Sequence, residues 1–282
     1  MKKILSVIFL LFQFSLFGQN FFTGVFGGVA NYQGELQTTP FSFTRAKPAY
    51  GLNLSYELNA KFLIRFDFTN GRVSGDDKYS VTNRSRNLCF TSNISEFSLG
   101  LEYLFLDLYQ YKVSPYIFVQ GGIFNFSPYY MLPNGAKITL YEFDTEGQGF
   151  YQDRKKYNLR QFCLPFGGGV QWAITDNKRI GFIVGFRKTY TDYIDDVSTT
   201  YIDKDLLIQK KGVSALPVAY KGDQLPNGDP YPAEGTKRGD PSNNDSYYFA
   251  GVVLKFRINA KRNKKEPTQK IEKSRVTCPT VF

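Results

Sequence analysis

Short segments of strictly alternating apolar and polar residues recur along the chain. In 51–59 and 62–69, leucine, isoleucine, phenylalanine and tyrosine take every second position, with mostly polar residues between them. This period of two is typical of a β-strand with one apolar and one polar face. The same pattern is found in 96–103, 162–174, 180–187 and 248–258. Six strands are therefore predicted with both faces assigned.

Two further segments, 21–34 and 114–126, are strand-like but rich in glycine, with apolar residues at both parities. We predict them as strands without assigning their faces, which gives eight strands. The links at 59–61, 106–112 and 176–178 are short, whereas those at 35–48, 75–91, 127–160 and 191–246 are long. Short and long links alternate along the chain, as expected for antiparallel strands that close into a barrel.

The N-terminus has the pattern of a signal peptide. Lys2 and Lys3 precede an apolar run that extends with two polar interruptions to Phe17. It is too short for a spanning helix, which needs about 20 apolar residues. We predict residues 1–18 as signal peptide, 19–258 as barrel and 259–282 as a flexible tail. No cysteine follows Gly18, so no N-terminal lipid anchor is expected.

The composition favours a barrel in the outer membrane over a secreted β-sandwich. The chain has 27 Phe, 20 Tyr and 25 Gly at a mean hydropathy of -0.31. A transmembrane barrel needs aromatic girdles, an outer face for lipid and a polar lumen, whereas a sandwich seldom needs so many aromatic residues. The fold predicted is an all-β, antiparallel transmembrane barrel of about eight strands, with outer-membrane lipid as its surroundings.

Barrels of this kind place short turns in the periplasm and long loops outside, so both termini are expected in the periplasm. Eight strands enclose a bore that side chains fill. We predict inward positions for Arg65, Asp67, Glu96, Glu102, Gln171, Arg187, Lys255 and Arg257. Because lone buried charges are costly, these residues are expected to pair in a closed lumen, and an ion path is the alternative.

No histidine is present, which removes Ser-His-Asp and Cys-His catalysis and every imidazole metal site. Carboxylate pairs exist, but no spacing places two of them around a substrate. We expect no enzymatic activity, no cofactor, no small-molecule substrate and no nucleic-acid partner.

Two stretches, 27–36 (GGVANYQGEL) and 186–201 (FRKTYTDYIDDVSTTY), resemble the PorG-like outer-membrane barrels. The resemblance spans roughly 21–258, except for the Pro- and Gly-rich insert at 216–241. It implies a structural component of the type IX secretion system, which serves protein export and gliding motility, associated with a periplasmic ring of the PorK and PorN type. The alternative is a stand-alone barrel that acts in envelope integrity or adhesion.

Polar residues follow the first and seventh strands. The residues Asn31 to Gly34 are interpreted as a turn with an interfacial tyrosine, with a partner site as the alternative. Asp192, Asp195 and Asp196 are interpreted as a solvated, self-capping loop. The alternative is a weak candidate calcium site, which would need six or more oxygen ligands.

Cys89 and Cys163 are both expected near the extracellular rim, and they are a candidate disulfide. Closing their loop of about 75 residues would stabilise the fold by roughly 4 kcal/mol in the chain-entropy model. The strand between them makes the Cα separation an obstacle, and two free thiols are the alternative.

The C-terminal tail is basic, and its seven basic and two acidic residues give it a net charge of +5 out of +10 for the chain. Its low apolar content predicts disorder until it binds a partner. The candidate partner-binding residues are Lys264, Lys265, Lys270, Lys273, Arg275 and Cys278. Cys278 is the odd cysteine, which suggests an intermolecular disulfide, and a tail that only touches anionic lipid is the alternative.

Overall fold

The computed structural model describes residues 20–37, 42–80, 82–132, 135–152 and 154–258. The described residues form nine strands: β1 (Phe21–Gln33), β2 (Lys47–Glu57), β3 (Phe62–Asp76), β4 (Cys89–Leu104), β5 (Val113–Met131), β6 (Lys137–Thr139), β7 (Arg160–Thr175), β8 (Lys178–Thr189) and β9 (Ser246–Arg257). All eight predicted strands are present, and β6 is a three-residue addition at the end of β5.

The strands pair antiparallel in the order β4-β3-β2-β1-β9-β8-β7-β5, and β4 pairs with β5, so the sheet closes on itself. The predicted eight-stranded antiparallel barrel is confirmed. The three short links lie at one end, here called the turn end, and the four long links lie at the other, here called the loop end. Because the first and last strands are neighbours, Val25 pairs with Leu52 on one side and with Leu254 on the other.

The outer face of the barrel is apolar and exposed. On β7, large apolar side chains from Phe162 to Ile174 point outward, and Trp172 is 56% exposed. Twelve residues span about 40 Å along a strand, or between about 28 and 33 Å along the membrane normal at the usual tilt of barrel strands. Aromatic pairs such as Phe62 with Tyr103, 4.8 Å apart, lie outward at the turn end. This face matches the hydrocarbon layer and its interface.

The inward and outward faces of β1 and β5 could not be assigned from the sequence, because aromatic residues of these strands also point inward. On β5, residues at even positions from Ser114 to Phe126 are buried and those between them are exposed. The inward rings lie against charged groups. The guanidinium carbon of Arg65 lies 4.4 Å from the ring centre of Phe118, and that of Arg179 lies 4.1 Å from Phe22. Such cation–π contacts let apolar rings pack in a polar lumen.

Ion pairs fill the lumen, as predicted. Arg65 bonds to Asp67 at 2.8 Å and to Glu102 at 3.0 Å, and Lys255 bonds to Glu102 at 3.0 Å. Nearer the loop end, Arg187 bonds to Glu96 at 3.0 Å. At the turn end, Glu57 accepts from Arg179 at 2.6 Å and from Arg257 at 3.0 Å. Gln171 also donates to Glu102. All eight predicted inward residues point inward, and opposite charges meet.

The long links form a folded layer over the loop end, here called the cap. The segment between β8 and β9 contains helices α1 (Lys204–Lys211) and α2 (Leu216–Ala219), and Ile202, Leu207, Ala215 and Ala219 pack together there. A second apolar cluster joins the cap to the upper lumen, including Tyr157, Ile194 and Val197 with Phe124 and Phe249. The cap is therefore packed continuously with the barrel.

Among the described residues, no helix is long and apolar enough to cross a membrane. The predicted signal peptide at 1–18 and the predicted tail at 259–282, including Lys264, Lys265, Lys270, Lys273, Arg275 and Cys278, lie outside the described residues.

Candidate functional site at the loop end

Four acidic residues converge where β1, β9 and β8 end beside each other. Glu35 follows β1, Asp192 and Asp195 follow β8, and Asp245 precedes β9. Because β9 lies between β1 and β8 in the barrel, their loop ends bring these residues together. We call Glu35, Asp192, Asp195 and Asp245 the carboxylate cluster.

The closest members of the carboxylate cluster are Glu35, Asp195 and Asp245. One carboxylate oxygen from each lies within 4.8 Å of the other two. Tyr32 points from β1 into this group, and its hydroxyl oxygen lies 2.6 Å from both Asp195 Oδ2 and Asp245 Oδ1. Tyr32, Asp195 and Asp245 are at most 1% exposed. These three residues are therefore almost fully removed from bulk water, whereas Glu35 is partly exposed.

Backbone amides supply the remaining hydrogen bonds of these three carboxylates. The amide of Ile194 donates to Asp245 Oδ2 at 2.8 Å, that of Val197 donates to Asp195 Oδ1 at 2.9 Å, and that of Asp240 donates to Glu35 Oε1 at 3.0 Å. These bonds fix the direction of each carboxylate. The second oxygen of Glu35 is buried without a hydrogen-bond partner among the described residues.

Asp192 differs from the other three carboxylates. The residue is only 6% exposed, and neither carboxylate oxygen has a hydrogen-bond partner of acceptable geometry among the described residues. The backbone beside it is paired with the cluster, because the Asp245 amide donates to the Thr191 carbonyl at 3.0 Å. A buried carboxylate with no partner is costly unless it is neutral or binds a cation.

Gly34 makes room for this arrangement. A Cβ atom added there would lie 2.0 Å from Asp245 Oδ1 and 2.0 Å from the Tyr32 hydroxyl oxygen. Both distances are far below van der Waals contact, so only glycine lets the chain pass this close to the two groups.

Burial and mutual repulsion raise the pKa values of the whole cluster. Burial raises the pKa of Glu35 to about 7. Burial, then the charges of Glu35 and Asp245, raise the pKa of Asp192 to about 9, although nearby Ser198 opposes the rise. The pKa values of Asp195 and Asp245 are raised well above the usual range, first by burial and then by neighbouring carboxylates. Four acids close together resist full ionisation.

A separate network lies beside the carboxylate cluster and is centred on Glu146. This carboxylate accepts from Arg238 at 2.8 Å and from the amide of Ser198 at 2.8 Å. Asp196 belongs to this network, because Arg238 also donates to its backbone carbonyl at 2.6 Å. Thr145 and Tyr157 each donate to the Asp196 carboxylate at 2.7 Å. Burial raises the pKa of Asp196 to about 6.

The predicted acidic triad is therefore divided. Asp192 and Asp195 belong to the carboxylate cluster, whereas Asp196 faces the Glu146 network. The interpretation as a solvated loop is wrong, because Asp195 and Asp196 are 1% and 0% exposed. The interfacial tyrosine is also wrong. Tyr32 lies within β1 and is fully buried, because its inward parity carries it to the acidic groups instead of to lipid.

The two cysteines do not form the candidate disulfide, and both are free thiols. Cys89 begins β4, whereas Cys163 lies level with Ser98 through the pairings of Gly122. Nine residues along β4 separate these levels, which is roughly 30 Å and far beyond disulfide reach. The prediction failed because β4 and β5 extend further toward the loop end than β7 does. The Tyr247 hydroxyl contacts Cys163 Sγ at 3.8 Å.

Sequence reasoning missed Glu35 and Asp245 as members of the site. The predicted closure of the barrel could have identified them, because closure makes the first and last strands neighbours. A polar residue just after β1 and one just before β9 must then lie close to the end of β8.

A family model described as "Domain of unknown function (DUF6089)" matches residues 2–207. This chain belongs to that family. The match covers more than half of the chain and includes β1 to β8, Glu35, Asp192 and Asp195, whereas Asp245 lies beyond it. Among curated proteins, none matches the sequence significantly.

Solved structures with a similar chain path include barrels from several bacteria. Neisserial surface protein A has a TM-score of 0.43 at 11% identity, over 84% of this chain and 97% of that chain. A major outer membrane protein of Thermus thermophilus has a TM-score of 0.40 at 9% identity, over 84% and 98%. OprG of Pseudomonas aeruginosa has 0.34 at 10%, over 85% and 97%. These values support no inference about function.

Proposed function

We propose that this chain is a non-catalytic structural component of the outer membrane that serves the type IX protein secretion system. One observation carries the proposal. The two stretches that resemble PorG-like barrels, 27–36 and 186–201, meet in space, since the Tyr32 hydroxyl lies 2.6 Å from Asp195 Oδ2. Two distant segments with one shared resemblance thus build one site at the loop end.

The lumen supports a role in assembly over one in permeation. Ion pairs and cation–π contacts fill the bore, with Glu102 fully buried between Arg65 and Lys255. Each charge has an opposite partner, as in a structural plug. This arrangement also favours the absence of catalysis, because the charged side chains of the lumen are already bonded to each other.

We place the loop end outside the cell and both termini in the periplasm. The large cap at one end and the three short turns at the other match the usual arrangement of such barrels. In this orientation the basic segment 259–282 faces the periplasm, where we propose that it docks on ring proteins of the PorK and PorN type. Cys278 would then form a mixed disulfide with that partner.

Deleting the gene tests the secretion role. We expect proteins that normally leave the cell to accumulate in the periplasm, and expression of the intact chain to restore their export. Intact export with lost adhesion or a weakened envelope would overturn the proposal in favour of a stand-alone barrel. The large folded cap is the observation that makes a stand-alone barrel the second candidate.

Truncation after Ile258 tests the docking role. The tagged intact barrel, purified in mild detergent, is expected to recover the ring proteins, and the truncated barrel is expected to lose them. Non-reducing electrophoresis of envelopes compares wild type with Cys278→Ser. An unshifted wild-type band would exclude the mixed disulfide, and undiminished recovery by the truncated barrel would exclude docking by the tail.

A further inference from the structure

We propose that the carboxylate cluster is a calcium site, in which Glu35, Asp195 and Asp245 coordinate one Ca²⁺ and Asp192 completes the shell. This inference is independent of the proposed function. It concerns how the cap is fixed on the barrel, whatever partner the barrel serves.

The distances fit a single ion. Ca²⁺ binds oxygen ligands at about 2.3 to 2.6 Å, so two ligands on opposite sides of it are about 4.6 to 5.2 Å apart. The nearest oxygens of Glu35, Asp195 and Asp245 all lie within 4.8 Å of one another. All three can therefore contact the same ion without rearrangement of the backbone.

Asp192 is the independent observation that points to a ligand. It is only 6% exposed, and both of its oxygens lack a hydrogen-bond partner among the described residues. Glu35 and Asp245 are the neighbouring charges that act most strongly on its carboxyl group. The unpaired Oε2 of Glu35 offers a further ligand atom. A buried cation would satisfy these oxygens together.

The number of hydrogens available for the two contacts of the Tyr32 hydroxyl also favours a proton or a cation between the carboxylates. Its hydroxyl has one hydrogen, yet its oxygen lies 2.6 Å from a carboxylate oxygen of Asp195 and from one of Asp245. One hydrogen cannot serve both contacts. Either one of the two acids is protonated, or a cation holds the oxygens together.

Few positive groups of the protein compensate the cluster. The guanidinium of Arg86 acts on Glu35, but it already bonds to Asp77 at 2.7 Å. Arg238 bonds to Glu146 at 2.8 Å. The fourfold negative charge of the ionised cluster is therefore not neutralised by these arginines.

The ligand chemistry selects calcium among common metals. Carboxylates are hard oxygen donors, which suit Ca²⁺ and Mg²⁺ better than zinc or copper. Mg²⁺ demands near-octahedral geometry and keeps its waters, whereas Ca²⁺ accepts six to eight irregularly placed oxygens. Glu35 also lines a cavity of about 1030 Å³ at the loop end, which gives an ion a path from solvent and room for water ligands.

The test uses the full mature chain in detergent micelles, stripped with EDTA and dialysed against radioactive Ca²⁺. The range from roughly 10⁻⁵ to 10⁻² M brackets the affinities of extracellular calcium modules. We expect one Ca²⁺ per chain and a slower cleavage of the cap by added protease. A hundredfold excess of Mg²⁺ is expected to leave Ca²⁺ binding largely intact.

Asp195→Asn and Asp245→Asn are the test variants, and Asp196→Asn is the matched control, since it is equally buried in the same loop. We expect at least a tenfold loss of affinity in the first two and no loss in the control. Without Ca²⁺, the test variants should resist protease better than wild type, because they remove repulsion. They should therefore fold, and only the wild-type cap should gain protection from Ca²⁺.

Three results would overturn the site. These are no Ca²⁺ bound by the wild type, unchanged binding in the double variant Asp195→Asn with Asp245→Asn, and equal competition by Mg²⁺. The protease experiment gives a further test. If protease cleaves the cap equally slowly in the EDTA-treated and the Ca²⁺-loaded wild type, protons alone neutralise the cluster and the calcium site is excluded.

Discussion

Single residues decide whether the carboxylate cluster forms, and Gly34 is the clearest case. Replacing it with alanine would place a methyl carbon 2.0 Å from Asp245 Oδ1 and from the Tyr32 hydroxyl oxygen. Overpacking of a buried site costs typically about 1–3 kcal/mol. We expect Gly34→Ala to increase the rate at which protease cleaves the cap while the barrel strands stay intact.

Gly27→Ala is the control for this substitution. Gly27 lies in β1, the strand that leads to Gly34, but its added Cβ meets nothing within 4 Å. Its cap should be cleaved at the wild-type rate. Equal rates for Gly34→Ala and Gly27→Ala would mean that the loop after β1 shifts freely and that the close approach has no structural consequence.

The acids of the cluster also predict how the cap responds to pH without a metal. Burial raises the pKa of Glu35 to about 7 and that of Asp192 to about 9, from values near 4 in the unfolded chain. The folded state then binds these protons more tightly than the unfolded state does. The protonated cluster therefore stabilises the cap most at low pH, and this contribution falls as pH rises from about 4 to about 9.

Hydrogen exchange of segment 190–245 in EDTA measures this effect. Amide protection, corrected for intrinsic exchange rates, should be greater at pH 5 than at pH 8. The groups that face the cluster from neighbouring elements are Tyr32 on β1, Arg86 after β3 and Glu146 after β6. Greater protection at pH 8 would show that other groups dominate the pH response.

At the scale of the strands, buried ion pairs join neighbouring and facing strands inside the barrel. Glu102 on β4 is fully buried and bonds to Arg65 on β3 and to Lys255 on β9. Removing one partner of a buried pair costs about 3–5 kcal/mol, because it leaves a charge uncompensated. We expect Glu102→Gln to lower the free energy of unfolding by that amount in urea titrations of the barrel in lipid vesicles.

Glu142→Gln is the matched control for the lumen variant, because Glu142 is exposed in the cap. Its unfolding midpoint should agree with that of the wild type within error. A midpoint for Glu102→Gln that also agrees would mean that water or a shifted side chain replaces the lost charge at little cost.

Strand periodicity predicted six of the eight strands with their faces, because lipid and lumen impose opposite demands on successive residues. It failed for the faces of β1 and β5, where Phe22 and Phe118 point inward and contact arginine side chains. Alternation records polarity, and it cannot distinguish a ring that meets lipid from one that meets a guanidinium. The inward direction of Arg65 and Asp67, in contrast, followed from parity alone, and the structure shows that the two residues bond to each other.

The loop-end site was only partly predictable for a different reason. Asp195 and Asp196 are neighbours in the sequence, yet they face different networks because Asp196 has a left-handed backbone with φ of 65°. No period of apolar residues encodes such a turn. The contribution of Asp245, fifty residues after Asp195, depends on how the strands of the barrel pair with one another.

At the scale of the whole molecule, the carboxylate cluster lies where the barrel closes. The last strand, β9, pairs with β1 on one side and with β8 on the other. Glu35, Asp195 and Asp245 follow or precede these three strands, so the cluster joins the cap to the closure of the barrel. Neutralising the cluster would therefore stabilise the cap and the pairing of the first and last strands together.

The orientation of the molecule in the membrane gives the last prediction. Asn227 is exposed in the cap at the loop end, and Asn177 is exposed in the two-residue turn between β7 and β8 at the turn end. Single cysteines are introduced at these positions in a Cys278→Ser background, so that the tail contributes no thiol. If the loops face outward, an impermeant maleimide added to intact cells should label Asn227→Cys and not Asn177→Cys. Opening the outer membrane should then expose Asn177→Cys to the same reagent.

The control is the Cys278→Ser strain without an added cysteine. Cys163 is buried and Cys89 is only partly exposed, so this strain measures how much label these two native thiols take up. Labelling of Asn177→Cys in intact cells, with Asn227→Cys protected, would reverse the orientation and move the cap and its acidic site to the periplasm.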